Sequence, residues 1–157
     1  MRVGIGYDVH PIVKGRKLFL GGIEIPSEFG LYGHSDADVL IHAISDAILG
    51  AVGLPDIGYF FPNIPEYKDI SSCVILEEVK RKIDKEYTIV NIDSVIIAEK
   101  PKIIPYVDMM KKKLASILEI NPGAIGIKAT TNEKLGFIGR EEGIVAIAVV
   151  LVDERRT

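Results

Sequence analysis

The chain has 157 residues with a hydrophobic content of 48%, a formal net charge of -3 at pH 7 and a single cysteine, Cys73. This length and composition fit one domain with a substantial core, and the weakly acidic balance provides no basic surface for a nucleic-acid polymer. A lone cysteine excludes an internal disulfide, favours the cytosol and is expected to pack in the core.

No internal repeat, low-complexity tract or long linker divides the sequence, so we expect residues 1–157 to form a single domain. Residues 1–8 alternate like a strand and lack the basic and apolar stretches of a signal peptide. The longest apolar run, residues 144–152, is far shorter than the roughly 20 residues that span a bilayer. We therefore expect a cytoplasmic protein without a membrane segment.

The first part of the chain predicts strands followed by one long helix. Alternation predicts a strand over residues 2–10 and one or two more over residues 17–25. Apolar residues recur at helical spacing over residues 36–51, with Gly53 beyond the end of this helix. Residues 55–65 are rich in glycine, proline and aromatic side chains and indicate a loop of the kind that carries function.

The remaining segments alternate between helix and strand. Residues 71–86 and 105–118 predict helices, and residues 88–98, 125–130 and 143–152 predict strands. This order is typical of an α/β (α+β) domain with a single sheet whose helices cover one face.

The last predicted strand is apolar at every position from residue 144 to residue 152. A half-exposed strand would alternate, so this pattern predicts burial on both faces of the sheet. The predicted helices are too few to cover both faces. A second subunit is the simplest cover, and a monomer with helices on both faces is the alternative.

Two polar residues at the end of the first strand, Asp8 and His10, are separated by one position and so leave the strand on the same face. A carboxylate and an imidazole suit zinc, and His42 on the long helix is the best third ligand. The alternative is a satisfied polar pair at a strand end. Asp38 lies four residues before His42, and Asp46 lies four residues after it. These aspartates either orient the imidazole or belong to a solvated face of the helix.

Two later segments are candidates for function, each with a plain structural alternative. Residues 129–137 follow a strand and combine hydroxyl groups, the carboxylate of Glu133 and a glycine, so they can offer backbone N–H and hydroxyl donors to phosphate and an oxygen ligand to a hard cation. The alternative is an ordinary polar turn. Residues 98–105 form a loop bounded by prolines, for which a simple connector is the alternative.

Six motifs follow one another in order over nearly the whole chain: G-x-G-x-D-V-H at residues 4–10, G-G-x-x-I-P at 21–26, G-H-S-D-A-D-V-x-x-H-A at 33–43, D-I-G at 56–58, I-I-A-x-x-P-K at 96–102 and K-A-T-T-N-E-K-L-G-F-x-G-R-x-E-G at 128–143. Together they resemble the 2-C-methyl-D-erythritol 2,4-cyclodiphosphate synthase family. The resemblance implies one cyclodiphosphate synthase domain that forms an α/β homotrimer, with sheets packed around the threefold axis and active sites between neighbouring subunits.

The resemblance also implies a reaction. The expected substrate is 4-diphosphocytidyl-2-C-methyl-D-erythritol 2-phosphate, a cytidine diphosphate-linked small molecule of non-mevalonate isoprenoid biosynthesis. Its own 2-phosphate attacks the outer phosphorus and expels CMP, which is the chemistry of a phosphorus-oxygen lyase. The family binds Zn2+ at the positions of Asp8, His10 and His42, and a second divalent cation, Mg2+ or Mn2+, at the position of Glu133.

Further residue roles follow from the same resemblance. His34 and Thr131 are expected to stabilise the transition state. Ser35, Asp56 and Gly58 are expected to line the methylerythritol phosphate pocket. The other expected substrate-binding residues are Asp8 and His10 of the metal site, His34, the loop residues Ile57, Phe61, Pro62, Asn63, Ile64 and Pro65, the cytosine-loop residues Ala98, Pro101, Lys102, Ile103 and Ile104, the diphosphate residues Thr130, Thr131, Asn132 and Glu133, and the axial residues Phe137 and Arg140.

Two parts of this match leave alternatives open. The family usually has acidic residues where Asn63 and Ile64 stand. Phe137, Arg140 and Glu142 match positions that line an axial cavity proposed to bind isoprenoid diphosphates, although Arg140 and Glu142 can instead pair across subunits. A zinc phosphohydrolase and a non-enzymatic isoprenoid-diphosphate-binding trimer are the rival functions.

Overall fold

The computed structural model describes residues 1–155. Within these residues, seven strands and five α-helices follow one another, with three short 3-10 turns between them. The strands are β1 Arg2–Lys14, β2 Leu18–Leu20, β3 Ile23–Ile25, β4 Phe29–Leu31, β5 Tyr87–Ile97, β6 Ile125–Thr130 and β7 Gly143–Glu154. The helices are α1 Val39–Ala51, α2 Ile57–Phe60, α3 Ser72–Ile83, α4 Val107–Leu118 and α5 Gly136–Gly139.

Five strands form one sheet in the order β4-β1-β7-β5-β6, and β2 and β3 form a separate hairpin. Strand β7 pairs antiparallel with both β1 and β5, whereas β5 and β6 are parallel. A parallel pair needs a crossover connection, which here contains helix α4. The mixed α/β class predicted from the sequence is therefore confirmed.

Helix α1 packs on the sheet almost without side chains between its backbone and β1. A methyl group added at Gly6 would lie 2.8 Å from the carbonyl carbon of Ala43 and 2.9 Å from the nitrogen of Ala47. Gly4 makes a similar approach to the next turn of the helix, near Ala47 and Ala51. The two glycines of the first sequence motif thus allow α1 to lie close to β1, which holds the middle of the helix above the strand.

Helices α3 and α4 extend the same layer, since α3 packs on α1 and α4 packs on both α3 and β6. Each has one apolar face, and Ser71 caps the start of α3 by accepting from the N–H of Cys73. Cys73 is half-buried and packs against the core, as predicted. No helix within residues 1–155 is long and apolar enough to cross a membrane.

The opposite face of the sheet is apolar and open. Val3 is 65% exposed and Ile5 is 70% exposed on β1, and Val149 is 41% exposed on β7, where it pairs with Ile5. The alternate residues of β7, from Ile144 to Val152, are buried under the helices. In a single chain, only the face of β7 that the helices cover is completely buried, and Val149 on the other face stays exposed.

Several element boundaries differ from the prediction. Strand β1 continues to Lys14, because after its pairing with β7 ends at Pro11 its last residues pair with β4, a strand that the sequence pattern did not reveal. The predicted loop over residues 55–65 contains the short helix α2, which begins where the Asp56 side chain accepts from the N–H of Tyr59.

Candidate active site

Asp8, His10 and His42 meet at one point between β1 and α1. The Asp8 Oδ2 atom lies 2.9 Å from His10 Nε2 and 3.0 Å from His42 Nδ1, and the two nitrogens are 3.1 Å apart. Tetrahedral zinc with ligands at about 2.0 Å separates its ligand atoms by about 3.3 Å. The three atoms therefore fit a divalent metal with little movement, and the sequence pattern had correctly grouped these residues.

The other ring nitrogen of each histidine has its own partner. His10 Nδ1 lies 2.9 Å from the carbonyl oxygen of Tyr32, which can only accept, so Nδ1 carries the hydrogen. His42 Nε2 lies 2.9 Å from Ser72 Oγ and 3.2 Å from Ser35 Oγ. Such outer contacts orient metal-binding imidazoles and select the nitrogen that faces the ion.

The electrostatics of the triad favour a carboxylate. Burial alone raises the pKa of Asp8, but the hydrogen bonds and positive charge from His10 and His42 outweigh this effect and lower the pKa to about 2. For His42, burial lowers the pKa and the Asp8 carboxylate raises it more, so the net pKa is above its usual value. Asp8 is thus ionised at neutral pH, as a metal ligand must be.

The two aspartates that flank His42 on α1 have structural contacts. Asp38 is fully buried, caps α1 through the N–H of Ile41 and accepts from the N–H groups of Gly21 and Gly22. Burial raises the pKa of Asp38. Asp46 accepts from the N–H of Ile57 at 2.8 Å and so ties α2 to α1. The solvated-face alternative is wrong for Asp38, and neither carboxylate forms a hydrogen bond to the His42 imidazole.

A cavity of about 420 Å³ opens beside the triad. Many of the predicted site residues line it, together with residues for which no role was predicted. The predicted lining residues are His10, His34, Ser35, His42, Ile57, Gly58, Phe61 and Asn63, and the additional ones are Tyr32, Gly33, Tyr67, Ile70 and Ile75. Pro62, Ile64 and Pro65 belong to the same loop but do not line the cavity, and the Asp56 carboxylate caps α2.

His34 is held at this cavity from two sides. Its Nε2 lies 2.8 Å from the carbonyl oxygen of Ile64. The guanidinium of Arg16 donates to the carbonyl oxygens of Gly33 and Ser35, which flank His34 in the chain. Arg16 was not singled out from the sequence, where it appears as one of many surface cations. Because Ile64 contributes its backbone, the departure from acidic residues at this position leaves the contact with His34 intact.

A second cavity, of about 290 Å³, lies at the carboxyl ends of the parallel strands β5 and β6. It brings together most of the predicted cytosine and diphosphate residues, namely Ala98, Pro101, Lys102, Ile103, Ile104, Thr130 and Thr131, and adds Glu99 and Ala129. No residue of the described chain lines both cavities. Strand β7 lies between β1 and β5 in the sheet and separates the two groups.

Glu99 organises the turn that follows β6. Its carboxylate accepts from the N–H of Asn132 at 2.9 Å and of Lys134 at 3.0 Å. The N–H of Glu133 bonds to Thr131 Oγ1 at 3.2 Å. These three N–H groups are therefore used inside the protein, contrary to the expectation that this turn offers its backbone N–H groups to phosphate. The side chains of Thr130, Thr131, Glu133 and Lys134 are exposed.

Arg140 and Glu142 pair with each other in the same chain. Arg140 Nε lies 3.0 Å and Nη2 3.2 Å from the two carboxylate oxygens of Glu142, and both side chains are exposed. Phe137, 39% exposed, precedes them in the short helix α5. The pair needs no second subunit to form.

Comparison with known proteins agrees with the motifs. The sequence matches the YgbB family over residues 1–153. It is 60% identical to the 2-C-methyl-D-erythritol 2,4-cyclodiphosphate synthase of Caldicellulosiruptor bescii, over 98% of this chain and 99% of that protein. The fold resembles the CDP complex of IspF from Plasmodium falciparum, with a TM-score of 0.87, 36% identity and coverage of 99% and 97%. It also resembles the bifunctional IspDF from Campylobacter jejuni, with a TM-score of 0.94 and 38% identity over 98% of this chain, which spans 42% of that longer protein.

Proposed function

The chain belongs to the YgbB family, and we propose that it forms 2-C-methyl-D-erythritol 2,4-cyclodiphosphate, the product named in its relatives. The substrate is 4-diphosphocytidyl-2-C-methyl-D-erythritol 2-phosphate, and CMP is the leaving group. The enzyme is a lyase of non-mevalonate isoprenoid biosynthesis. The observation that carries this proposal is the convergence of Asp8, His10 and His42 beside a cavity lined by His34 and Ser35.

Asp8, His10 and His42 hold Zn2+, because the oxygen and two nitrogens already lie within 3.1 Å of one another and each imidazole has its opposite nitrogen engaged. The exposed Glu133 carboxylate holds the second cation, Mg2+ or Mn2+, since hard cations prefer oxygen ligands. When bound, these ions neutralise negative charge on the phosphate oxygens.

Because the nucleophile is a phosphate group of the substrate, the role of the protein is to position the reacting groups and to neutralise their charge. The Nε2–H of His34 is held by the carbonyl of Ile64, which leaves Nδ1 as the ring nitrogen for the substrate, and Nδ1 donates to a phosphate oxygen only in the imidazolium form. The Thr131 hydroxyl lies at the cavity beyond β6 and can donate to a phosphate oxygen. Donors that are fixed before the reaction stabilise the developing charge without reorganisation.

The two cavities divide the substrate between them. The mainly apolar cavity at residues 98–104 takes the cytosine, with Thr130 and Thr131 beside the diphosphate. The larger cavity next to the metal triad takes the methylerythritol phosphate. Since no described residue lines both cavities, a complete site needs the second cavity of one subunit to face the metal triad of another.

A homotrimer of this single-domain chain meets that requirement. Its location is the cytoplasm. The open face of the sheet carries Val3, Ile5, Tyr7 and Val149, all at least 41% exposed in the single chain. Full burial of an exposed valine or isoleucine contributes roughly 1.5–3 kcal/mol, so each of these partly exposed side chains contributes a fraction of that. Packing of three sheets around a threefold axis covers this face and brings neighbouring chains next to each other.

The axial end of such a trimer is a site for an isoprenoid diphosphate, with Phe137 against the apolar tail and the Arg140 guanidinium on the phosphate. Glu142 occupies that guanidinium in the free protein, so a diphosphate must compete with it. Calorimetry with a prenyl diphosphate is expected to show weaker binding for Arg140→Ala and tighter binding for Glu142→Gln. Equal affinity of all three proteins would leave the pair with a structural role alone.

The reaction is tested by incubation with the cytidyl substrate, followed by phosphorus NMR and CMP release. A cyclic diphosphate without solvent oxygen supports the proposal. Labelled oxygen from water in the product indicates a phosphohydrolase instead, and binding without turnover indicates a binding protein.

Thr131→Ala is expected to reduce turnover by about 10²-fold with a smaller effect on substrate binding, and Glu133→Gln is expected to raise the magnesium concentration needed for turnover.

A further inference from the structure

Ser72 links a zinc-ligand candidate to a carboxylate on another segment. It is the first residue of α3 and is fully buried, with its Oγ 2.9 Å from His42 Nε2. The same hydroxyl makes a short hydrogen bond to Asp36 Oδ1, and the Ser72 N–H donates to Asp36 Oδ2 at 3.0 Å. Asp36 lies before α1, so the contact joins the starts of two helices.

These contacts define where each hydrogen lies. An ionised carboxylate only accepts, so the Ser72 hydroxyl must donate to Asp36. The remaining lone pairs of Ser72 Oγ then face His42, whose Nε2 must carry the hydrogen. A neutral imidazole with hydrogen on Nε2 has its free electron pair on Nδ1, the atom that lies 3.0 Å from Asp8 and 3.1 Å from His10 Nε2.

The second hydroxyl near His42 does not impose this direction. Ser35 Oγ is 3.2 Å from Nε2, farther than Ser72 Oγ, and it accepts from the N–H of Ala37. Its own hydrogen has no carboxylate partner among the hydrogen bonds of Ser35, so it can either donate to Nε2 or accept from it. Ser72, with its hydrogen committed to Asp36, is therefore the group that selects the tautomer.

We propose that Asp36 and Ser72 are positioning residues that hold His42 with Nδ1 free to bind zinc. The proposal rests on the zinc site assigned above but not on the reaction. It also means that docking of the start of α3 is coupled to metal affinity. Loss of such outer partners typically weakens metal binding by about 10–100-fold.

The test measures zinc affinity of the full chain by competition with a chromophoric chelator, without substrate. Ser72→Ala is expected to bind zinc about 10–100-fold more weakly than the wild type. Nitrogen NMR of the protein with labelled histidine reports whether His42 Nε2 carries a hydrogen. The wild type is expected to show that hydrogen, and Ser72→Ala is expected to show a lower fraction of His42 with it.

Two matched controls separate this role from helix stability. Ser71→Ala removes the cap of α3, which accepts from Cys73 at 3.3 Å, without touching His42, so it is expected to lower the melting temperature and leave zinc affinity within about twofold. Ser45→Ala removes a buried hydroxyl that has no hydrogen-bond partner in the described chain and is expected to change neither quantity.

If Ser72→Ala does not fold, Asp36→Asn provides the same information. The amide can turn its NH2 group toward Ser72, which lets the hydroxyl hydrogen point at His42 Nε2 and favours the wrong tautomer. Wild-type zinc affinity and an unchanged tautomer in the folded variant overturn the proposal. So does an equal loss of zinc affinity in Ser71→Ala. Because zinc binding is measured apart from turnover, failure of the proposed reaction leaves this result interpretable.

Discussion

Replacement of Gly6 by alanine should damage the metal site through the packing of α1. The added methyl group would lie 2.8 Å from the carbonyl carbon of Ala43, and even closer to its oxygen, and all these atoms belong to the helix backbone. Carbon atoms that are not bonded prefer a separation of about 3.5–4.0 Å. A backbone cannot rotate away as a side chain can, so α1 must retreat from β1 by about 1 Å.

The consequences can be estimated from this displacement. Overpacking of a core contact typically costs about 1–3 kcal/mol in the free energy of unfolding. His42 immediately precedes Ala43, so its Nδ1 moves away from Asp8 and His10 by a comparable distance. Metal–ligand distances tolerate only about 0.2 Å. We therefore expect Gly6→Ala to lower zinc affinity by at least about 10-fold, although no ligand has been changed.

Gly50→Ala is the matched control on the same helix. A methyl group there meets no atom closer than the Ile5 carbonyl oxygen at 3.9 Å. Alanine replaces glycine in a helix with a gain of about 0.5–1 kcal/mol, so this variant should be more stable and keep its zinc affinity. Denaturant unfolding and chelator competition measure both quantities. Wild-type stability and zinc affinity in Gly6→Ala would refute the close-packing argument.

Three further predictions address the ligands, the assembly and the turn after β6. His42→Ala should lose its zinc by elemental analysis, and retention of full occupancy would contradict the ligand assignment. Ile5→Asp should yield monomers in sedimentation, because a charge then lies on the open sheet face, whereas Val74→Asp on α3 should not change the assembly. Glu99→Ala should lower turnover while its melting temperature changes little, since two N–H groups of the exposed turn lose their acceptor; unchanged kinetics would show that this turn needs no anchoring.

Much of the fold was predictable because hydrophobic periodicity reports burial. The helical spacing in residues 36–51 predicted α1, and the uninterrupted apolar run in residues 144–152 predicted a buried strand, which is β7. The pattern did not predict β4, which has three residues and is too short to show a period. It also missed the extension of β1, since pairing with β4 depends on a distant segment.

Much of the candidate metal site could be predicted from the local geometry of a strand. Asp8 and His10 had to share a face because side chains alternate along a strand, and the chemistry of one carboxylate and two imidazoles indicates zinc. Gly4 and Gly6 of the same motif could be read from the sequence, but the reason why glycine is needed at these positions could not. Only the docked helix shows that a side chain at these positions would enter its backbone.

Only the tertiary structure shows which groups hydrogen-bond to the site residues and orient them. Ser72 reaches His42 across 30 positions, and Tyr32 reaches His10 across 22. Glu99 meets the turn 33 positions away. A serine at the start of a helix or a glutamate after a strand has no periodic signature that distinguishes it from an ordinary cap or surface charge. Which of these groups face a ligand depends on how the helices pack on the sheet, and that packing is a property of the whole folded chain.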